Sequence, residues 1–308
     1  MARSLRDIRR KMKAIKATKQ VTKAMELVAA SKMRRAVQNA QTLKRYAGTA
    51  WDILESMAED HSKQHPYLTS KPLTRVLALL FTSDRGLCGS LNAHLLRTLQ
   101  KYIKTLPEIG TFQKVDFIAI GRRGQQFLSR SGQTVIAAFP ALSNHPKFKD
   151  ALPIMRLATE SYTKGEYDHV VLVYSDFKSA LMQEPVVKVL LPFTKTVLKD
   201  MLQELGGRAT AKDDAERKTG SRAQYLLEPS PAAILDQILP QLTEVQIYQA
   251  VLETAASEHS ARMVAMRTAT DNAEEILGDL TLTYNQTRQE RITAELCEIS
   301  ASKAALEA

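Results

Sequence analysis

The last quarter of the chain, residues 241–308, contains no proline and a single glycine, Gly278. Small and apolar side chains recur there every three or four residues, which places them in one stripe on an α-helix. They are Tyr248, Leu252, Ala255, Met263, Met266, Ala273, Leu277, Leu280 and Tyr284. A helix over 243–303 would be roughly 90 Å long, which exceeds the core of a compact domain of this size. The stripe therefore predicts a long helix that needs a partner along its length.

The first 65 residues are the best candidate for that partner, because they also lack proline and contain one glycine, Gly48. Their apolar side chains follow a heptad at first and then continue in a different phase, which predicts a local change of winding in a coiled coil. The first phase comprises Leu5, Ile8, Met12 and Ile15, and the second comprises Val21, Met25 and Val28. Alanines between these positions permit the close approach of a second helix.

The two terminal segments carry opposite net charges. Residues 1–45 contain fourteen Lys and Arg against Asp7 and Glu26, a net charge of +12. Residues 241–308 contain eleven acidic and five basic side chains, a net charge of −6. Each exposed ion pair contributes less than about 1 kcal/mol, but the opposite signs favour pairing of the two segments. We therefore predict a long antiparallel coiled coil of the N- and C-terminal helices.

Between Pro66 and Pro240 the helical period gives way to short β-branched runs that alternate with helical patterns. This alternation is typical of an α/β layer with a largely parallel sheet. The predicted strands are Val76–Thr82, Val115–Ile120, Thr134–Phe139, His169–Tyr174 and Val186–Pro192, and the predicted helices are Leu91–Leu106, Gly124–Arg130 and Ile154–Lys164. The last two strands are close enough for a hairpin through Ser179–Pro185. The predicted fold class is α/β, with a Rossmann-like α/β domain inserted between the two helices of the coiled coil.

These patterns predict three parts of the chain. They are an N-terminal coiled-coil helix over 1–65, an α/β domain over 66–230 and a C-terminal coiled-coil helix over 231–308. Prolines at 229, 231 and 240 are expected to mark the entry to the last helix. Most of 194–222 lacks large apolar side chains, so we expect a mobile surface loop there.

Composition argues against several classes of protein. The chain has no run of about 18 apolar residues that could span a membrane. Its basic N-terminus resembles a mitochondrial leader, but the amphipathic pattern continues past residue 30, so we do not expect cleavage. Cys88 and Cys297 match no metal-ligand or redox spacing, which favours a reducing compartment without a disulfide. The formal net charge of +10 makes nucleic acid an alternative partner, although the basic segment is itself apolar-striped and poor in aromatic residues.

Two loops follow predicted strands and precede predicted helices, as phosphate-binding loops do. They are Ser83–Ser90 and Gly121–Gly124, and neither has the glycine spacing of a nucleotide-binding motif. We therefore expect tight strand-to-helix turns at both places. Cys88 could be considered as a nucleophile at a helix N-terminus, but no histidine or carboxylate motif is placed to act with it. The six histidines form no ligand cluster. We predict no catalytic residue, no cofactor and no metal.

Three parts of the chain resemble the gamma subunit of F-type ATP synthase. They are Lys19–Arg35 (KQVTKAMELVAASKMRR), Ser83–Gly89 (SDRGLCG), and the end of the chain, with Ala261–Ala273 (ARMVAMRTATDNA) and Leu282–Glu298 (LTYNQTRQERITAELCE). The resemblance covers nearly the full chain, in order. It implies that the terminal helices form a shaft inside a ring of three alpha and three beta subunits. It further implies that the α/β domain holds the epsilon subunit and rests on the membrane ring of c subunits. The implied function is a rotor that couples ion flow to conformational changes at the beta-subunit catalytic sites, with no nucleic-acid partner.

The resemblance also implies contacts with the beta subunit at particular positions. Arg288, Gln289 and Thr293 match a polar cluster that meets a beta-subunit loop. Met25 matches a methionine that faces the beta subunit, with packing inside the coiled coil as the alternative role. Both sets lie on the terminal helices, as a shaft inside a ring requires.

A second set of implied contacts involves the membrane ring. Tyr225 and Glu228 match the segment that rests on the c-ring loops, although Leu227 replaces a tyrosine that is usual there. Photosynthetic members of the family carry a thiol switch near 194–222, and this chain has no cysteine in that range. We therefore expect no redox control by that route. The implied location is peripheral, on the cytoplasmic face of a bacterial cell membrane, with the thylakoid or mitochondrial inner membrane as the alternative.

Overall fold

The computed structural model describes residues 5–61, 65–69, 71–108, 111–140, 142, 146–193 and 231–307, with the side chains of the first helix described from 5 to 43. Five helices and five strands lie in these ranges. In chain order they are α1 Leu5–His61, β1 Arg75–Phe81, α2 Leu91–Thr105, β2 Lys114–Ile120, α3 Arg122–Arg130, β3 Val135–Phe139, α4 Phe148–Thr163, β4 His169–Phe177, β5 Gln183–Leu191 and α5 Pro231–Glu307. A single 3₁₀ turn, Leu106–Glu108, follows α2. Each predicted strand begins and ends within three residues of the limits of an observed strand.

The five strands form one sheet in the order β3-β2-β1-β4-β5. The first four are parallel, and β5 runs antiparallel to β4 as the second strand of the predicted hairpin. Strand β1 lies at the centre, where Val76 is in register with Val115 of β2 and His169 of β4. Helices connect the parallel strands, as parallel pairing requires. The predicted Rossmann-like arrangement between the two terminal helices is confirmed.

The sheet buries apolar side chains on both faces, because successive residues of a strand point to opposite sides. Leu77, Leu79 and Phe81 of β1 pack in one cluster with buried residues of α4 and α5. The alternating side chains of β1, from Val76 to Leu80, pack in the other cluster with α2 and α3. Every residue from Val76 to Phe81 is at most 1% exposed. This continuous burial accounts for the uninterrupted apolar run that identified the strand in the sequence.

Prolines do not end helices where the sequence suggested. Helix α5 begins at Pro231, where a missing amide donor costs nothing, but it continues through Pro240. The expectation that Pro240 marks the entry to the helix is therefore wrong. The flanking Leu239 and Leu242 are buried in the sheet core, and this burial offsets the roughly 3 kcal/mol that an internal proline costs. Helix α4 likewise contains Pro153 and begins six residues before its predicted start.

The structure divides into two compact units. The first combines the described residues of 1–30 and 262–308, which belong to α1 and α5. The contact partners move backwards along α5 as the chain advances along α1, which makes the two helices antiparallel. The three contacts that fix this direction are Arg9 with Tyr284, Lys19 with Glu274, and Thr22 with Thr270. The predicted antiparallel coiled coil of the terminal helices is confirmed.

The second unit, residues 31–261, contains the sheet, its helices and the adjoining parts of α1 and α5. In this unit α1 and α5 also run antiparallel, with Ala36 against Ala255 and Ala256, and Leu43 against Val245. Small side chains at the first of these contacts allow the two backbones to approach closely. The predicted domain limits at residues 65 and 231 remain predictions, because this division follows contacts rather than sequence segments.

The phase shift predicted along the first helix is wrong. One set of covered positions on α1 continues at alternating spacings of three and four residues without a break, and a set on α5 does the same. On α1 they are Leu5, Ile8, Met12, Ile15, Lys19, Thr22, Glu26 and Ala29, and on α5 they are Met266, Thr270, Ala273, Leu277, Leu280, Tyr284 and Thr287. Met25 and Ala30, beside the set on α1, are also half-covered. Val21 and Val28, which suggested the shift, are 58% and 56% exposed. Hydrophobicity and burial therefore disagree in this stretch of α1.

Candidate protein-contact surface

The two loops considered for phosphate binding pack against each other. The Thr82 hydroxyl oxygen accepts a hydrogen bond from the Gly124 amide at 2.8 Å, and the Arg123 amide donates to the Ser83 carbonyl oxygen at 3.2 Å. Gly121 has φ +93°, and a Cβ at this position would collide with the Thr82 carbonyl oxygen. These contacts give both loops a structural role as tight turns at the carboxyl end of the sheet, as the sequence predicted.

A carboxylate occupies the helix end that an anion would need. Asp84 Oδ1 accepts a hydrogen bond from the amide of Arg122, the first residue of α3, at 3.1 Å. A negative side chain in this position satisfies the helix N-terminus and repels a phosphate. The neighbouring cleft, lined in part by Thr82 and Gly121, has a volume of about 10 Å³. Such a space holds one water molecule and no nucleotide.

Cys88 is 2% exposed and lies in a polar pocket of the same loop. The Asn92 side-chain amide donates to its sulfur at 3.3 Å, and the Ser83 hydroxyl oxygen lies 3.8 Å away. Asn92 also donates to the Ser83 hydroxyl at 2.7 Å, so the three side chains tie the loop to the start of α2. Within the described ranges, no three His, Cys, Asp or Glu side chains are placed to hold a metal ion.

The polar residues predicted to meet a partner subunit lie on α5. Arg288, Gln289 and Thr293 are all exposed. Gln289 and Thr293 are four residues apart and share one face, and Arg288 lies on the adjacent face. Neighbouring polar groups pair along the helix, with Arg291 Nε donating to Glu295 at 3.0 Å. The cluster therefore forms a continuous polar surface that is available for contact.

An apolar stripe adjoins this polar cluster. Ile292, Leu296 and Ile299 follow a helical spacing of four and three residues, and all are exposed. Every residue from 291 to 300 is exposed. A helix end with an apolar stripe that this chain leaves uncovered is typical of a surface that another protein covers.

Met25 is half-buried on α1, beside the covered positions that face α5. This burial is compatible with both of its predicted roles, contact with a partner subunit and packing in the coiled coil. Three large apolar side chains around it, Val21, Leu27 and Val28, are more than half exposed. Sequence reasoning placed Val21 and Val28 in the coiled-coil core and thus missed them as surface residues. An equally regular heptad runs through Ile15, Lys19 and Thr22 and continues the phase of Leu5, Ile8 and Met12. Recognising it as the covered set would have identified Val21 and Val28 as surface residues.

Two predicted contact residues and one predicted loop belong to the part of the chain that the structure does not describe. They are Tyr225 and Glu228, predicted to meet the membrane ring, and the loop 194–222.

The sequence analysis did not predict one exposed apolar surface, the turn between β4 and β5. Leu181 and Met182 are exposed in this turn. Their backbone amides both donate to the Ser179 hydroxyl oxygen, at 3.3 and 3.1 Å, so the turn has a defined conformation.

Helix α5 also holds a set of buried polar groups in the second unit. The Ser257 hydroxyl donates to the Ser175 carbonyl oxygen at 2.9 Å, and Gln249 donates to Glu253 at 2.8 Å. Burial acts most strongly on the pKa of Asp176 on β4 and raises it, but the Lys178 ammonium, 2.6 Å away, and the charge of Lys188 together outweigh burial, so the pKa lies below its usual value. The Ser257–Ser175 bond fixes α5 against the end of β4.

No helix in the described part of the chain is long and apolar enough to cross a membrane. The basic residues of α1 are instead spread over its exposed positions, among them Arg9, Arg10 and Lys11. Arg10 pairs with Asp7 at 3.3 Å on the same helix, and Arg9 donates to Tyr284 of α5. Most of the positive charge of α1 therefore lies on the outside of the helix pair, with Lys19 as an exception that pairs with Glu274 of α5.

Sequence comparison connects the chain to a known family. The family model described as ATP synthase matches residues 4–306. The chain is 41% identical to the ATP synthase gamma chain of Herpetosiphon aurantiacus over 312 residues, which covers 98% of this chain and 99% of the relative. It is 35% identical to the ATP synthase gamma chain of Legionella pneumophila over 302 residues, with coverage of 98% and 99%.

Solved structures with the same fold come from mitochondrial ATP synthases. The central stalk and c-ring structure from Tetrahymena thermophila contains a chain that is 26% identical, with a TM-score of 0.56 and coverage of 81% of this chain and 99% of that one. A chain in the Euglena gracilis OSCP/F1/c-ring structure is 23% identical, with a TM-score of 0.65 and coverage of 98% and 94%. The likeness to the Euglena chain concerns the fold.

Proposed function

The chain belongs to the ATP synthase gamma-chain family, and from this we propose that it is the rotating central shaft of an F-type ATP synthase and has no catalytic site of its own. The shaft consists of the antiparallel helices α1 and α5, and the α/β domain lies between them in sequence. Ion flow through a membrane ring of c subunits turns the shaft. The shaft transmits this rotation to catalytic sites on the surrounding beta subunits, which make or hydrolyse ATP.

The physical basis of this coupling is differential contact. A helix pair has different side chains on different faces, so it stabilises one beta-subunit conformation more than another. Each partial turn changes which subunit meets which face. A shift of a subunit from mostly open to mostly closed requires several kcal/mol of differential contact energy. The shaft therefore needs contact surfaces that are chemically distinct on different sides.

The observation that supports the proposal most directly is the uncovered end of α5. All ten residues from 291 to 300 are exposed, and three of them form an apolar stripe beside the Arg288 cluster. A free helix of this kind gains little stability from within the chain, since most helical stability in proteins comes from packing. A ring of alpha and beta subunits around this end would cover the stripe.

In this arrangement Arg288, Gln289 and Thr293 bind a loop of the beta subunit. Hydrogen bonds to the charged guanidinium are roughly twice as strong as neutral ones, so Arg288 dominates the contact. Met25 meets the beta subunit from α1, together with the exposed Val21 and Val28 beside it. An apolar contact on α1 and a polar contact on α5 give the shaft two chemically different faces.

The basic surface of α1 has a corresponding role. We propose that it faces acidic segments of the beta subunits, where attraction without fixed pairing suits a shaft that turns. Arg9 is a poor residue for testing this charge effect because it also bonds to Tyr284. Charge reversal at the exposed Lys11 and Lys13 is a cleaner test, and we expect weaker assembly that depends on salt.

The remaining partners meet the other end of the rotor. Tyr225 and Glu228 rest on the c ring, and the epsilon subunit binds the α/β domain. The protein is peripheral to the membrane, on the cytoplasmic face of a bacterial cell membrane or, as the alternative, on the thylakoid or mitochondrial inner membrane. The bacterial location agrees with the gamma chains of Herpetosiphon aurantiacus and Legionella pneumophila, to which the chain is 41% and 35% identical.

Reconstitution tests the proposal. Purified alpha and beta subunits are mixed with this chain, and steady ATP hydrolysis is measured against the same subunits without it. We expect the chain to increase hydrolysis, and we expect none from the chain alone. Alanine at Arg288, Gln289 and Thr293 together should reduce the increase by about tenfold, equivalent to one charge-assisted hydrogen bond, whereas alanine at the exposed Asn285 should not. Hydrolysis by the isolated chain, or no response to its addition, would refute the proposal.

A further inference from the structure

Helix α1 carries two heptad tracks between residues 14 and 29, and the less apolar track is the covered one. The inner track, which faces α5, comprises Ile15, Lys19, Thr22, Glu26 and Ala29. The outer track comprises the residue before each of these: Ala14, Thr18, Val21, Met25 and Val28. The outer track has no charged side chain and the inner track has two. Burial of apolar surface alone would place the outer track against α5.

The arrangement with the inner track against α5 and the one with the outer track against α5 differ by a rotation of α1 about its own axis. Neighbouring residues on an α-helix are about 100° apart, so turning α1 by that angle about its own axis exchanges the tracks. The exchange moves each Cα by only about 3.5 Å, given a helix radius of about 2.3 Å. A rotation of this size requires no slip along the helix axis. Leu5, Ile8 and Met12 continue the inner track towards the start of α1, and their burial favours the observed orientation there. Between residues 14 and 29 hydrophobicity gives no such support, so polar contacts must maintain the orientation.

Two polar contacts from the inner track to α5 depend on the observed orientation. The Thr270 and Thr22 hydroxyl oxygens are 2.8 Å apart, and both residues are buried. Lys19 Nζ lies 2.8 Å from Glu274 Oε1. We call these four residues the polar clamp. A rotation that brings Val21 to the position of Thr22 breaks both contacts, because each requires its partner within hydrogen-bonding distance.

The hydroxyl pair is satisfied in a way that an apolar neighbour could not reproduce. Each hydroxyl has one proton and two acceptor positions. Thr22 lies 3.1 Å from the Lys19 carbonyl oxygen, and Thr270 lies 2.8 Å from the Met266 carbonyl oxygen. One hydroxyl can therefore donate to its own helix while it accepts the proton of the other. Single polar residues in coiled-coil cores are known to select one helix arrangement at some cost in stability.

We propose that the polar clamp sets the rotation of α1 about its own axis and thereby keeps the outer track on the surface. The proposal rests on the proposed function, since the outer track contains Met25 and would be the face that α1 presents to the surrounding subunits. The four clamp residues are positioning residues: they act by holding Val21 and Val28 outward on either side of the half-buried Met25. The shaft thus retains an apolar contact face on α1.

Thiol accessibility in the full chain tests the orientation directly. The exposed Cys297 is replaced by Ser, and Cys88 remains because it is buried. Val28→Cys reports on the outer track and Ala29→Cys on the inner track, each in a separate protein. We expect maleimide to react with the thiol at position 28 at least about tenfold faster than with that at position 29, because reactivity follows exposure. Circular dichroism confirms that each variant remains helical.

The clamp is then altered in both reporter backgrounds. Lys19→Glu, which faces Glu274, and the double variant Lys19→Ala/Thr22→Ala should slow the reaction at position 28 and speed it at position 29. The charge swap Lys19→Glu/Glu274→Lys and the conservative Lys19→Arg should restore the original order. Lys16→Glu makes the same charge change at an exposed position and should have no effect. An unchanged order in the clamp variants, a swap that fails to restore it, or a fast reaction at both positions would overturn the proposal.

The same reporters separate this proposal from the rotor function. Addition of alpha and beta subunits should protect the thiol at position 28 if the ring covers the outer track. Absence of protection, with the accessibility order of the isolated chain as expected, would refute the contact at the outer track and leave the clamp intact. Protection of the thiol at position 28, together with an order of thiol reactivity that the clamp variants leave unchanged, would refute the role of the clamp and leave the rotor function intact.

Discussion

Arg9 Nη2 donates a 2.8 Å hydrogen bond to the Tyr284 hydroxyl oxygen, and its guanidinium carbon lies 5.7 Å from the centre of the same ring. The two residues are 275 positions apart in sequence and tie the start of α1 to α5. The contact combines a charge-assisted hydrogen bond with a cation–π interaction.

Removing the Tyr284 hydroxyl should weaken the helix pair slightly. We expect Tyr284→Phe to lower the free energy of unfolding by about 0.5–1 kcal/mol, because the bond is solvent-exposed and the cation–π contact remains. Tyr284→Ala should cost more, since it also removes the covered ring from the seam. Urea unfolding followed by helical circular dichroism measures both. Equal losses for Phe and Ala would show that the ring contributes nothing.

Gly121 should tolerate no side chain. Gly121→Ala requires φ +93° and brings Cβ into the Thr82 carbonyl oxygen, so we expect the α/β domain to lose more than about 3 kcal/mol of stability. Gly132 is a matched control, with φ +67° and no atom within 4 Å of the added Cβ. Gly132→Ala should cost only the backbone strain of about 1–2 kcal/mol. Thermal unfolding of both variants provides the comparison, and similar losses at both sites would contradict it.

Stability should fall in acid partly through Asp168. Arg75 donates to both carboxylate oxygens of Asp168, at 3.1 and 3.0 Å, and this pairing lowers the pKa of the carboxyl below its usual value. A carboxyl whose pKa is lower in the folded state stabilises the fold above its unfolded pKa of about 3.9. The contribution is lost as the pH falls through the folded pKa. The α/β domain should therefore lose stability from about pH 5 downward.

Asp168→Asn removes this titration. The variant should be less stable at pH 7 and should show a smaller difference between pH 7 and pH 3 in urea unfolding. Glu160→Gln is a matched control, because its carboxylate lies 3.8 Å from Lys164 on an exposed helix surface. Its pH dependence should remain that of the parent chain. An unchanged acid dependence in Asp168→Asn would show that other carboxylates account for the loss.

The central strands β1, β2 and β4 were predictable because each is a compact apolar run that is largely buried. The strand from Val76 to Phe81 could be recognised without knowing its neighbouring strands, because a continuous apolar run is typical of a strand that is buried on both faces. The length of α5 was also predictable, because residues 241–308 contain no proline and only one glycine, Gly278. The continuation through Pro240 was not, because its local cost is outweighed by leucines that pack against a sheet distant in sequence.

The orientation of α1 could not be predicted from hydrophobicity. Val21 and Val28 are the more apolar residues, but Thr22 and Ala29 are buried in their place. The reason lies on α5, where Thr270 and Glu274 supply the matching polar groups. The pattern of residues along α1 alone contains no information about which polar groups of α5 lie opposite it. The contact role proposed for Arg288, Gln289 and Thr293 on α5 comes from the resemblance, since their exposure is compatible with an ordinary solvated surface.

The end of α5 should be dispensable for folding and required for coupling. Deleting the residues after Gln286 removes the exposed segment 291–300 together with Arg288, Gln289 and Thr293. The α/β domain core lies within unit 31–261, so its cooperative thermal transition should remain within a few degrees of the parent value. ATP-driven proton pumping by the reconstituted complex should fall more than ATP hydrolysis does, because the shaft loses the polar contact proposed with the beta subunits. A truncated chain that loses the domain transition, or one that pumps normally, would contradict the assignment of this helix end to subunit contact.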